Sequence, residues 1–153
     1  MLAASGPSPA VACIGVVHAT SVEQQAAAVA SLAALLSTDD EVVLNEVCTL
    51  IRSTPGCLEQ ICALIDGAAG AYASSLQQSA LIVLGNFVAE AGTDADRRRI
   101  RSAGGFEKSL RLLASNEVEL LRCAAGACMN FCRGIEEASR VCELGLVERL
   151  MEL

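Results

Sequence analysis

The chain has 153 residues, 53% of them hydrophobic but only 3% aromatic, and a formal charge of −7 from 11 basic and 18 acidic side chains. That hydrophobicity excludes a disordered chain, and the dominance of Ala and Leu favours close-packed helices over a β-sandwich. The acidic balance disfavours nucleic acid and biases encounters toward basic partners. No segment is long and apolar enough to span a bilayer. The eight cysteines are read as reduced thiols on apolar helical stripes, where Cys behaves as a small hydrophobe. The chain is not a short, Cys-dense secreted one, so the expected compartment is cytoplasmic and/or nuclear.

Residues 1–20 read as a loose N-terminal segment carrying Pro7 and Pro9, or as a worn first helix. The apolar run at 10–17 lacks the basic stretch of a secretory signal. From there the spacing predicts helices over 22–37, 39–53, 55–65, 74–91, 94–102, 105–114, 116–132, 135–143 and 146–153, with no strand. Ser21-x-x-Gln24, Thr38-x-x-Glu41 and Ser74-x-x-Gln77 have the form of capping boxes. Thr54-Pro55 reads as an N-cap followed by Pro at the first helical position. Gly92, Gly104-Gly105, Gly134 and Gly145 follow helical runs as C-terminal glycines do.

Two of these stretches answer each other. LQQSALIVLGNF at 76–87 matches LLRCAAGACMNF at 120–131, so Asn130 follows Asn86 by 44 residues. VLNEVCTLIRST at 43–54 fits the same frame more weakly and places Ser53 at the Asn position. A period in the forties points to an α-solenoid, in which each apolar stripe is buried only by stacking on the next repeat.

The run AGGFEKSLRLL at 103–113 and the pair Asn130-Phe131 resemble the armadillo repeat, with its short first helix, glycine-opened second helix and long third helix ending in Asn. The resemblance extends over 22–153 and is weakest over 22–54, where Ala27-Ala28 replace the paired Gly. It implies an all-α fold, a right-handed α-solenoid of armadillo-type repeats at about 21–54, 55–92, 93–134 and, in part, 135–153. Gly56 precedes Asn86 by 30 residues, whereas Gly105 precedes Asn130 by 25. The extra length falls near Asp66–Ala73, a loop around Tyr72. It is read as neutral because Gly and Ala offer few contacts, with a binding loop as the alternative. Residues 144–153 match the start of a second helix and would leave Leu150, Met151 and Leu153 uncovered. A fragment of a longer array is expected, or a partner over that end.

In armadillo proteins an Asn near the end of each third helix holds the backbone of an extended peptide in a concave groove. An amide suits that task because it both donates and accepts. The resemblance places Asn86 and Asn130 there, with Ser53 departing from the pattern; bracing of the helix turn is the alternative role. Ser79, Ile82, Cys123 and Gly126 would shape the floor, and Glu46 and Glu90 would bias it toward basic partners. Importin-α-like members carry Trp where this chain has Ile82 and Gly126, so a cation–π pocket for nuclear-localisation signals is not expected. Gly is disfavoured inside a helix, so Gly126 implies a close approach by a neighbouring helix or a bound chain.

Catalytic signals are scarce. His18 stands alone with no fixed base, and no glycine-rich phosphate loop follows a strand. Cys123, Cys128 and Cys132 lie along one helix, which cannot surround a metal ion tetrahedrally. No cofactor, metal or enzymatic activity is expected. The run Arg97–Arg101 reads as a solvated face anchored by Ile100, or as an acidic docking patch. The expected function is a protein-interaction scaffold that binds an extended partner segment. The alternative is a regulatory solenoid that binds a folded partner such as a small GTPase.

Overall fold

The computed structural model describes residues 8–67, 70–132, 138, 139, 142, 143 and 151. Among these residues there are eight α-helices and no strand: α1 (Pro9–His18), α2 (Val22–Leu35), α3 (Glu41–Ser53), α4 (Cys57–Leu64), α5 (Ala73–Ala91), α6 (Asp94–Ser102), α7 (Gly105–Arg111) and α8 (Val118–Phe131). A 3-10 turn over Leu112–Ala114 extends α7. Most of the two C-terminal helices expected from the sequence, and Gly134 and Gly145, lie outside the described residues.

The helices stack in two rows. α2, α5 and α8 lie side by side in one row, with α1, α4 and α7 behind them in the other. α3 and α6 join one pair to the next, α3 packing on α4 and α5 and α6 packing on α4 and α7. The core lies between the rows, where Leu58, Ile61, Ile65, Leu76, Leu84 and Phe87 are fully buried. Phe106 and Phe131 close it in the last pair, their rings edge to face with centroids 5.6 Å apart. The buried thiols of Cys62 and Cys128 belong to the same core, and burial pushes both pKa values up to about 12.

The loose reading of residues 1–20 is corrected for 9–18, which form the worn-helix alternative. Ser8 caps α1, its hydroxyl accepting from the Val11 N–H, and Pro9 sits in the first turn. Ala12, Cys13 and Val16 are buried. α2 and α3, expected within one repeat at 21–54, fall in different layers: α2 pairs with α1, and α3 leads into α4 and α5.

The helix starts also differ. Ser21 caps α2 as expected, but α3 is capped by Asp40, whose Oδ1 accepts from the N–H groups of Val42 and Val43. α4 starts after Gly56 at φ 78°, and α7 after Gly104 at φ 72°. A left-handed residue at each corner turns the chain sharply into the second helix, which glycine does without steric cost. These two glycines are the structural equivalents, so the span from Gly56 to Asn86 is four residues longer than that from Gly104 to Asn130, not five. Ser74 does not cap α5; its hydroxyl donates to Glu117 on the approach to α8.

Polar contacts clamp one triplet to the next. Asp96, only 2% exposed, takes the guanidinium of Arg52 at 3.0 Å and closes a capping box with Thr93. Arg52 also donates to the Ala91 carbonyl at 2.9 Å. Arg99 pairs with Glu59, and Lys108 and Arg111 pair with Asp66. The basic run is therefore partly committed to structure, with Arg98 exposed and Ile100 buried.

Candidate functional site

Asn86 and Asn130 stand at matching positions on α5 and α8 in the row α2–α5–α8. Asn86 ends the exposed stripe of α5 and donates from Nδ2 to the Leu36 carbonyl at 3.0 Å. Asn130 does the same on α8, donating to the Gly85 carbonyl at 3.1 Å. Each Asn thus braces the preceding helix of the row, at the carbonyl one residue before the matching position. An amide has a second N–H and an Oδ1 acceptor, and no partner for either Oδ1 is found among the described residues.

This bracing identifies the matching position on α2. It is Ser37, whose Oγ also receives an Asn86 N–H at 3.4 Å. Ser53 does not occupy that position in the row. It ends α3, away from the row, and its hydroxyl donates to the Leu50 carbonyl. A fixed period of 44 could not find Ser37, which precedes Asn86 by 49 residues. The signal lay in the match of Ala-Ala-Leu-Leu-Ser at 33–37 to Ile-Val-Leu-Gly-Asn at 82–86.

Between α5 and α8 lies a cleft of about 160 Å³. It brings together Ile82, Asn86, Cys123, Gly126 and Asn130 over a floor that includes Gly85 and Ala127. Ser79, one turn before Ile82, is half-buried and does not line it. Burial raises the pKa of the Cys123 thiol, which stays protonated and neutral at this wall. Glu46 lies on α3 rather than on the row, while Glu90 is exposed in the last turn of α5.

The two glycines of the cleft differ in kind. A Cβ on Gly85 would stand 3.1 Å from the Ala127 Cα, so Gly85 lets α5 and α8 approach closely. Among the described residues, a Cβ on Gly126 would meet nothing within 4 Å. Among the described residues, then, no neighbouring helix approaches Gly126 as one approaches Gly85.

No protein-family profile matches the chain, and no curated protein matches it. Solved structures do. One engineered protein is 25% identical with a TM-score of 0.70, over 96% of this chain and 55% of that one. A designed armadillo repeat protein is 19% identical with a TM-score of 0.70, over 97% of this chain and 56% of that one. A computationally designed armadillo repeat protein for modular peptide recognition is 22% identical with a TM-score of 0.67, over 94% of this chain and 56% of that one. The chain thus spans about half the length of these three structures.

Proposed function

The chain has the all-α armadillo-repeat solenoid fold, and we propose that it is a protein-interaction scaffold that holds an extended segment of a partner along α2, α5 and α8. The observation that carries this reading is the pair Asn86 and Asn130 at an open cleft whose floor carries Gly126. Neighbouring packed helices stand about 8–10 Å apart, and an extended chain rises about 3.3 Å per residue. Successive amides of the row therefore meet a partner backbone about every third residue. Each offers a free acceptor without selecting side chains.

The match to a designed protein for peptide recognition supports the same reading by analogy. The charge of −7 favours basic segments at encounter. No helix among the described residues is long and apolar enough to cross a membrane, and we place the scaffold in the cytoplasm and/or nucleus. We read it as a binding module rather than an enzyme, with His18 serving the C-terminal turn of α1.

The test is binding of short unstructured peptides to the wild-type chain and to the double variant Asn86→Ala/Asn130→Ala, with helicity compared by circular dichroism. Peptides that bind the wild type and lose at least tenfold in affinity for the double variant are expected. Partners that bind only as folded domains would shift the function to the regulatory alternative.

A further inference from the structure

We propose that the cleft over Gly126 is the specificity notch of this groove, and that it takes one large, uncharged apolar side chain from the bound segment. The inference rests on the groove reading above and adds to it the chemistry of the occupant.

The row itself supplies the comparison. Ile82 and Gly126 occupy the same position on successive helices, 44 residues apart. On α5 that position carries a β-branched side chain that is half-buried in the groove wall. On α8 it carries none, and the space stays open. Glycine is disfavoured within a helix, and the close helix contact here belongs to Gly85. Packing within the row therefore does not account for Gly126, whereas an incoming side chain does.

The walls indicate what that side chain is. Leu81, Ile82, Cys123 and Ala127 give the notch apolar surfaces, and Met129, 69% exposed, stands at its lip. A thioether on an unbranched chain adapts to occupants of different shape. At about 160 Å³ the notch is smaller than the roughly 300 Å³ and upward of small-molecule sites, which suits a side chain rather than a free ligand.

The charges at the notch disfavour a basic occupant. Among the described residues Arg122 is the one ionised side chain lining the notch, and Glu119 already holds it at 2.9 Å. Among the described residues no carboxylate lines the notch, and the nearby Glu119 is engaged by Arg122, so a lysine or arginine would find no unpaired counter-ion there. The net acidity of the chain draws basic residues to other parts of the segment, while the notch selects an uncharged one.

The experiment uses the full chain and a phage-displayed library of random peptides. Selection is run on the wild type, on Gly126→Ile, which repeats the residue of α5, and on Asn86→Ala/Asn130→Ala. Thermal melts and circular dichroism verify folding, and Gly126→Ala serves as the milder second variant. Peptides enriched by the wild type are expected to share Leu, Ile, Met or Phe at one position. Their affinity for Gly126→Ile should fall about ten- to a hundredfold. Changing that peptide residue to Ala should cost as much on the wild type and little on Gly126→Ile, the signature of a direct pair. Equal binding to wild type and Gly126→Ile overturns the notch, as does enrichment of Lys or Arg at the shared position. If such peptides are still lost on the Asn variant, the groove reading survives alone. If no peptide is enriched, or enriched peptides ignore both variants, the notch and the groove reading fail together.

Discussion

The α2–α5 and α5–α8 contacts share one plan and are finished differently. In both, an Asn of the later helix donates to a carbonyl of the earlier one, Asn86 to Leu36 and Asn130 to Gly85. The first contact keeps Ile82 at the groove surface, while the second pairs the closely packed Gly85 with the open Gly126. Bonds from these side-chain amides to backbone carbonyls thus hold successive helices in register, which leaves the volume at other positions free to vary from repeat to repeat. The amides keep the spacing, and the residue four before each amide shapes the floor.

The largest expected effect lies outside both contacts. If the Arg52–Asp96 clamp ties the repeats together independently of the row, Asp96→Ala should lower stability by about 2–4 kcal/mol. Urea titration measures that loss, and affinity per folded molecule should be unchanged. The same clamp sets a pH dependence. Burial alone would raise the Asp96 pKa, but bonds from Arg52 and Thr93 outweigh it and the net shift is downward. A depressed folded-state pKa gives stability that is fully present above the unfolded value of about 3.9. That stability is lost as pH falls further through the folded value. Asp96→Asn should therefore flatten the loss of stability as pH falls below about 4.

Within the row the effects are smaller. Gly85→Ala should destabilise by about 1 kcal/mol, because the strain of overpacking against the Ala127 backbone exceeds the gain in helix propensity. Thermal denaturation reads the sign, and a gain would show that α8 yields easily. Asn86→Ala and Asn130→Ala should each cost about 1 kcal/mol. Asn86 should cost slightly more, since it also donates to Ser37. Equal losses would mean that the Ser37 contact adds nothing. Gly126→Ala should stabilise by about 0.5–1 kcal/mol, since its methyl meets open space. A destabilising result would erase the contrast between the two glycines.

The repeat was legible where sequence and structure keep one register. Asn86 and Asn130, the stripes around Phe87 and Phe131, and Gly104 before α7 were readable because two complete repeats could be laid on each other. α1 was obscured by its own composition. An almost wholly apolar helix shows no stripe, and Val11 and Ile14 remain exposed on it at 59% and 54%. Ser37 was missed because four extra residues between Gly56 and Asn86 and one between Ser37 and Gly56 shift the spacing from 44 to 49, which made α3 look like a row helix. The role of Gly126 needed coordinates, since a sequence shows that a residue lacks a side chain but not whether the space beside it is filled.

The place of α5 has a consequence for how the molecule opens. It packs on α2 at one flank and α8 at the other, and Leu76, Leu81, Leu84 and Phe87 are wholly buried along it. In an array joined chiefly by neighbour-to-neighbour contacts, each helix is protected by the helices beside it. Opening between α2 and α5, or between α5 and α8, leaves one flank of α5 still covered. Its central amides are therefore released to hydrogen exchange only when the whole assembly lets go, and their exchange rate reports the global unfolding free energy.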